Sequence, residues 1–155
     1  MNVTILGTGY VGLTTGACLA FLGHKVTCVD VIEQKIAMLE RGEAPFHEPH
    51  LADLLAEARC NLKFTTDYAQ AIPGAQAIFI AVGTPPGPNG APDLHYLEAA
   101  ARGVGEHLGH GFTVVVNKST VPIGSGNWVG SLVRDALEGH SGRKAEGVFA
   151  VASNP

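Results

Sequence analysis

The segment VTILGTGYVG at residues 3–12 constrains the fold of this chain more than any other stretch. A short apolar, β-branched run leads directly into a Gly-x-Gly-x-x-Gly turn, and a helical pattern follows the turn. A second apolar run at residues 25–29 then ends at Asp30. This succession of strand, glycine turn, helix and strand is the context in which the motif indicates a dinucleotide-binding β-α-β unit.

Each glycine of the motif has a physical role in such a unit. Gly7 permits a sharp turn at the strand end, Gly9 leaves room for a pyrophosphate, and Gly12 lets the helix approach the strand. The phosphates would bind the unpaired N–H groups of the helix N-terminus. Asp30 has the spacing of the acid that binds the adenosine ribose, so the motif predicts a dinucleotide site rather than a purely structural turn.

The residues after the second strand favour NAD over NADP as the cofactor. A carboxylate at Asp30 repels a 2′-phosphate, and residues 31–35 contain no arginine that would reverse this preference. Lys35 follows about one turn into the next helix. Either it reaches the same ribose, or it is a solvated surface lysine.

Apolar runs and helical patterns alternate along the whole chain. The predicted strands cover residues 3–6, 25–29, 62–65, 77–82, 112–116 and 148–152. Such alternation is typical of an α/β, Rossmann-type, doubly wound parallel sheet of six strands. The expected strand order is 3-2-1-4-5-6, and the ligand is expected at the carboxyl ends of the strands.

Hydrophobic spacing predicts how the helices are oriented. The first helix is expected to bury the residues spaced at i, i+3 and i+4, namely Val11, Thr14, Thr15, Cys18, Leu19 and Leu22. Later helices are expected to bury Ile32, Ile36 and Leu39, and then Leu97, Ala100, Ala101, Val104 and Leu108. Asp67 is expected to cap a short helix, Pro122 to occupy the first turn of the last one, and residues 83–90 and 138–147 to be loops.

Length, charge and cysteine content narrow the class of protein. The 155 residues suit one globular domain, and the net charge of −4 gives no reason to expect nucleic-acid or membrane binding. No leader or membrane span is visible, so we expect a cytoplasmic protein. Cys18, Cys28 and Cys60 show no C-x-x-C spacing, and we expect small buried hydrophobes rather than a disulfide or metal site.

Three loops at strand ends are expected to converge on the ligand. They are residues 7–12, residues 82–85 (Val82, Gly83, Thr84 and Pro85) and residues 117–122. Thr84 and Pro85 either lie beside the nicotinamide ribose or form an ordinary strand exit. Ser119 and Thr120 either place hydroxyls near the reaction centre or cap the following helix, and both roles can hold together. Lys118 is either a cation near phosphate or an exposed side chain.

Histidines flank an acid at His47, Glu48 and His50, but their spacing matches no established metal-ligand pattern. No metal is therefore expected.

Five motifs occur in the order found in one enzyme family, and together they extend over the whole chain. They are GTGYVGL at residues 7–13, GEAP at 42–45 with EP at 48–49, VGTP at 82–85, NKSTVPIG at 117–124 and SNP at 153–155. The chain resembles the N-terminal domain of the UDP-glucose 6-dehydrogenase family, which includes GDP-mannose and UDP-N-acetylmannosamine dehydrogenases.

The resemblance implies a two-step, NAD-dependent oxidation of a nucleotide-sugar alcohol to a carboxylate, through an aldehyde and a cysteine-linked thioester. It implies cofactor contacts at Val11, Asp30, Lys35, Thr84 and Thr120. Together with the glycine motif and the strand-end loops, the predicted cofactor-binding residues are Gly7, Gly9, Tyr10, Val11, Gly12, Asp30, Lys35, Val82, Gly83, Thr84, Pro85, Ser119 and Thr120. The resemblance also gives Thr120 a catalytic role in holding water. That water works with a glutamate of the family's N-P-E-F-L segment.

The family's nucleophilic cysteine, lysine, asparagine and aspartate belong to a central helix and a C-terminal domain. We expect the 155 residues to be the NAD-binding domain without those parts, and the parent enzyme to be a homodimer. A stand-alone NAD-binding module remains an alternative. A hydroxyacyl-CoA or 6-phosphogluconate dehydrogenase is less favoured, because K-S-T-V-P belongs to the nucleotide-sugar enzymes. A regulatory nucleotide sensor would need only the first half of the motif set.

Overall fold

A computed structural model describes residues 1–87, 90–122 and 124–154. The strands are β1 (Asn2–Leu6), β2 (Lys25–Val29), β3 (Leu62–Thr65), β4 (Ala77–Ile80), β5 (Thr113–Asn117) and β6 (Phe149–Ser153). The helices are α1 (Tyr10–Phe21), α2 (Glu33–Glu40), α3 (Leu51–Ala58), α4 (Tyr68–Ala71), α5 (His95–His107) and α6 (Ser125–Ser141). A 3-10 turn, Arg59–Asn61, precedes β3.

The six strands form one parallel sheet in the order β3-β2-β1-β4-β5-β6, which confirms the predicted topology. Every strand begins and ends within two residues of its predicted bounds. Strands β2 and β3 extend the sheet on one side of β1, and β4 returns to the other side, so the winding direction reverses between β1 and β4. The loops that follow β1 and β4 are therefore neighbours.

Two apolar clusters cover the sheet. One packs α5 and α6 on β4 and β5, around Ile78, Ile80 and Val115. The other packs α1 and α3 on β1 and β2, around Ile5, Leu13 and Val26. The inward residues predicted for α5 are all buried. Edge strand β6 is the least buried, since Ala150, Ala152 and Ser153 are exposed.

The predicted orientation of α1 is wrong. Val11 is 52% exposed, Leu22 is 70% exposed and Cys18 is exposed. The helix instead buries Leu13 together with Gly12, Gly16, Ala17 and Ala20. A Cβ on Gly16 would lie 2.7 Å from the Cys28 sulfur, so at this residue the helix lies too close to the sheet for a larger side chain. The buried face of this helix therefore combines one large apolar residue, Leu13, with small residues that allow close approach to the sheet.

Of the three cysteines that were predicted to be buried, only Cys28 is buried. Cys28 is fully buried in β2, and burial raises the pKa of its thiol to about 12. Cys18 and Cys60 are exposed, because they lie on the outer side of α1 and in the turn before β3. Ile32 is also more exposed than expected, at 45%, since it precedes α2 rather than lying within it.

The predicted helix cap, helix bounds and loops agree with the structure in part. Asp67 caps α4 as expected, and its Oδ1 accepts a hydrogen bond from the Ala69 N–H at 2.8 Å. Helix α6 begins at Ser125 rather than Pro122, and it continues to Ser141, into the predicted loop. The proline-rich loop after β4 is more regular than expected, since Pro86 and Pro92 form an antiparallel bridge. Residues 88–89, 123 and 155, which belong to predicted loops and motifs, lie outside the described residues.

Candidate functional site

The loops after β1, β4 and β5 meet at the carboxyl edge of the sheet. Hydrogen bonds join the second and third loops, because the Thr84 hydroxyl donates to the Thr120 carbonyl oxygen at 3.0 Å. The Ser119 hydroxyl donates to the Val82 carbonyl oxygen at 2.8 Å. The convergence expected from the strand order is therefore present.

The glycine turn has the geometry that its sequence predicts. Gly7 has a φ of +98°, and a Cβ there would lie 2.6 Å from the Ala81 carbonyl oxygen. A Cβ on Gly12 would collide with the Gly7 carbonyl oxygen, so helix and turn are in direct contact. A Cβ on Gly9 would meet nothing within 4 Å. The turn is therefore closed on its protein side at Gly7 and Gly12 and open at Gly9.

Asp30 lies at the end of β2, is only 7% exposed and is bound to this turn. Its Oδ2 accepts hydrogen bonds from the Thr8 N–H at 2.9 Å and from the Thr8 hydroxyl at 2.6 Å. Its Oδ1 accepts from the Ile32 N–H at 3.1 Å. The carboxylate therefore lies beside the first turn of α1, where a ligand on that turn would meet it.

The charge of Asp30 is maintained by its neighbours. Burial by itself would raise the pKa of the carboxyl group. Hydrogen bonds from Thr8 and Ile32, together with the positive charge of Lys35, outweigh burial and lower the pKa. The Lys35 ammonium lies 3.4 Å from Oδ2, and its side chain is 34% exposed. Lys35 is thus a partner of the acid rather than an isolated surface lysine.

A largely apolar cleft of about 440 Å³ extends from the glycine turn between α2 and α5. Asp30 and Lys35 provide its charged groups, and its apolar lining includes Val31, Ile32, Tyr68, Tyr96, Ala99 and Ala100. A flat apolar group with a polar edge suits such a space, since ligand sites combine apolar walls with a few oriented polar groups.

The whole chain matches one domain family. The NAD binding domain of the UDP-glucose/GDP-mannose dehydrogenase family aligns with residues 1–155. The chain belongs to this family. NAD is accordingly its cofactor.

Named relatives agree with this assignment. The UDP-glucose 6-dehydrogenase TuaD of Bacillus subtilis (strain 168) is 46% identical over 99% of the chain. The UDP-glucose 6-dehydrogenase of Rhizobium meliloti (strain 1021) is 47% identical over 87% of it. The chain spans 32% and 31% of the length of these two relatives, so it corresponds to about a third of each.

Solved structures with different substrates in their names share the fold equally. The GDP-mannose dehydrogenase of Pseudomonas aeruginosa, solved as a ternary complex, is 38% identical and has a TM-score of 0.88. The UDP-glucose dehydrogenase of Pyrobaculum islandicum is 39% identical and also has a TM-score of 0.88. The chain covers 36% and 35% of those chains, while they match 100% and 99% of it.

The described residues have the chemistry that NAD requires. The first turn of α1 has no acidic side chain, and its N–H groups are free of the intrahelical bonds made further along a helix. The missing Cβ at Gly9 leaves that turn accessible. The buried carboxylate of Asp30 and the apolar cleft lie next to it. A pyrophosphate, a ribose and an adenine thus each have a matching environment at this edge.

The residues predicted on the nicotinamide side differ from one another in burial and in hydrogen bonding. Ser119 is buried, and its hydroxyl bonds to the loop after β4. Thr120 is exposed, and it does not cap α6, because Gly124 is the N-cap residue of that helix. Gly83 and Pro85 are exposed, whereas Val82 and Thr84 are half-buried. The Lys118 ammonium lies 3.0 Å from the Asn154 side-chain oxygen, at the end of β6.

The sequence did not predict three of the residues that lie at the site. Thr8 occupies a variable position of the glycine motif, so its hydroxyl carried no signal. Tyr68 and Tyr96 come from α4 and α5, whose periodicity indicates packing but not which residues border a cleft. Tyr10, which was predicted, is 60% exposed, and its ring centroid lies 4.1 Å from that of Phe46.

Two further features of the described residues concern metal binding and membrane spanning. Within residues 1–87, 90–122 and 124–154, no group of three or more His, Cys, Asp or Glu side chains is arranged to hold a metal ion. Among the same residues, no helix is both long and apolar enough to cross a bilayer.

Proposed function

We propose that this chain is the NAD-binding domain of a nucleotide-sugar 6-dehydrogenase whose substrate is UDP-glucose. The observation that carries the proposal is the buried Asp30 carboxylate, bound to an open glycine turn beside an apolar cleft. UDP-glucose is favoured because the relatives with 46% and 47% identity carry that substrate in their names. GDP-mannose is the second candidate, since a GDP-mannose dehydrogenase has the same TM-score as a UDP-glucose dehydrogenase.

The first half of the site would bind the adenosine diphosphate portion of NAD. The N–H groups of Tyr10, Val11 and Gly12 would donate to the pyrophosphate, because they lie in the first turn of α1. Asp30 would accept from the ribose hydroxyls, with Lys35 alongside. The adenine would occupy the apolar cleft. Its neighbours there would include Ile32 and Tyr96.

The second half of the site would hold the nicotinamide end. Val82, Gly83, Thr84 and Pro85 would line one side of it, and Ser119 and Thr120 the other. When bound, NAD supplies the acceptor for a hydride from the sugar alcohol. Thr120, whose side chain is exposed at this edge, would bind a water molecule that takes part in the later hydrolysis. Thr84 would position Thr120 through their hydrogen bond.

The remaining chemistry is proposed to come from other parts of a longer protein, because the chain spans about a third of its relatives. Such a protein would be a cytoplasmic homodimer. Its product would be UDP-glucuronate, a precursor for polysaccharide biosynthesis. The 155 residues by themselves would act as an NAD-binding module.

Calorimetric titration with NAD tests the binding site. Asp30→Ala is expected to weaken binding by about 1.5–3 kcal/mol, because hydrogen bonds to a charged group are lost. Glu33→Ala is the matched control, since it removes an exposed acid from the first turn of α2. Equal affinities for Asp30→Ala and the unaltered chain would contradict the proposed ribose contact.

A second experiment tests the proposed division between NAD binding by this chain and catalysis that needs other parts of a longer protein. The 155-residue chain is expected to bind NAD without producing NADH from UDP-glucose. Sustained NADH formation by the purified chain would show that the proposed division is wrong.

A further inference from the structure

The two oxygens of the Asp30 carboxylate have unequal numbers of donors. Oδ2 accepts from both the N–H and the hydroxyl of Thr8, and the Lys35 ammonium lies 3.4 Å away. Among the described residues, Oδ1 accepts only from the Ile32 N–H, at 3.1 Å. A carboxylate oxygen has about two lone-pair sites. Oδ2 is therefore saturated by the protein, whereas Oδ1 can still accept a bond from a ligand.

Thr8 is placed to maintain this inequality. It is fully buried, at 0% exposure, between the first two glycines of the turn. Any residue except proline could supply the N–H donor at this position, but the second bond, at 2.6 Å, comes from a side-chain hydroxyl group. Lys35 is a weaker restraint, because its contact is longer and a third of its side chain is exposed. The hydroxyl of Thr8 is thus the short side-chain bond that fixes Oδ2.

We propose that Thr8 is a positioning residue for recognition of the adenosine ribose. Its hydroxyl holds Oδ2, so that Oδ1 faces the vicinal diol of the ligand. This inference rests on the proposed role of Asp30 as the ribose acid. Because the carboxylate is ordered before the ligand arrives, less side-chain freedom is lost on binding. Thr8 also connects the ribose acid directly to the turn proposed to bind the pyrophosphate.

The test compares two nucleotides that differ only in the diol, ADP and 2′,3′-dideoxy-ADP. Calorimetry of the whole 155-residue chain is expected to show tighter binding of ADP. Thr8→Val, which preserves shape and removes the hydroxyl, should raise the Kd for ADP about two- to tenfold, the effect of leaving one side chain unordered. The Kd for dideoxy-ADP should be unchanged. Thr8→Ser, which keeps the hydroxyl, should match the unaltered chain with both nucleotides.

A second readout follows the carboxylate itself. Because the Thr8 hydroxyl bond lowers the pKa of Asp30, that pKa should rise in Thr8→Val and remain low in Thr8→Ser. Carbon-detected NMR of the Asp30 carboxyl group measures it. If Thr8→Val does not fold, Thr8→Ala, which adds no bulk to the buried position, replaces it in both experiments.

The outcomes separate this inference from the proposed function. If Thr8→Val weakens ADP and dideoxy-ADP equally, or neither of them, while Asp30→Ala still weakens ADP, the positioning role is overturned and the ribose contact stands. If Asp30→Ala leaves the preference for ADP unchanged, the proposed ribose contact fails, and the role of Thr8 fails with it.

Discussion

The adenosine side and the nicotinamide side of this site are built in different ways. On the adenosine side, Thr8 and Asp30 belong to one β-α-β unit, and their contacts are buried. On the nicotinamide side, Thr84 and Thr120 come from separate units, and one exposed hydrogen bond joins them. The first side is therefore ordered by its own local fold. The second depends on how two loops meet.

The two sides also differ in their relation to the nearest helix. A Cβ on Gly12 would collide with the Gly7 carbonyl oxygen, so α1 holds the glycine turn in place by direct contact. Thr120 itself lies outside a helix, because α6 begins five residues later, at Ser125. We therefore expect changes on the adenosine side to affect both stability and binding. Changes on the nicotinamide side should have smaller effects.

The largest expected effect distinguishes two glycines of the same turn. Gly12→Ala should lower the free energy of unfolding by about 3 kcal/mol or more, because its methyl group has no room. Gly9→Ala should change it by less than about 1 kcal/mol, since a Cβ there meets nothing. Urea denaturation measures both.

Calorimetry with NAD completes that comparison. Gly9→Ala should weaken NAD binding at least about tenfold, because its methyl group would occupy the space proposed for the pyrophosphate. Wild-type affinity in Gly9→Ala would place the pyrophosphate elsewhere. Wild-type stability in Gly12→Ala would show that the turn is not held by α1.

An intermediate effect is expected from the charge of Asp30. Its pKa is lower in the folded chain than in the unfolded chain, so its ionised form stabilises the fold. That contribution is complete above the ordinary pKa of about 3.9 and is lost as the pH falls through the folded value. Asp30→Asn should therefore cost about 1–3 kcal/mol at neutral pH and less at about pH 3. Urea denaturation of both proteins across that range tests the sign, and a cost that is constant with pH would contradict it.

The smallest effect is expected on the nicotinamide side. Thr84→Val removes the bond to the Thr120 carbonyl oxygen and should lower the free energy of unfolding by about 0.5–1 kcal/mol. Thr84→Ser, which retains the hydroxyl, is the control. A loss as large as that of Gly12→Ala would mean that the two sides are equally dependent on local packing.

Much of the fold could be predicted because its signals are local. Each strand is a short apolar run with turn residues around it, and parallel pairing then follows from the helices between strands. The inward residues of α5 were predicted correctly because they are apolar and recur at helical spacing among polar residues such as Glu98 and Arg102. The same reasoning failed for α1, whose buried side is formed by glycine and alanine residues together with Leu13. Apolar periodicity misses a buried face when glycines form part of it, because glycine carries no side chain to mark the face.

Some features of the site could likewise be predicted from the sequence, and others could not. The sequence by itself determined the glycine turn, the acid at Asp30 and the family, because each depends on residue types at fixed spacing. Only the tertiary structure decided which Asp30 oxygen remains available, that Thr8 restrains the other, and that Ser119 is buried while Thr120 is exposed. Those properties depend on distances between side chains from different parts of the chain. Residue spacing along one strand or helix carries no information about such distances.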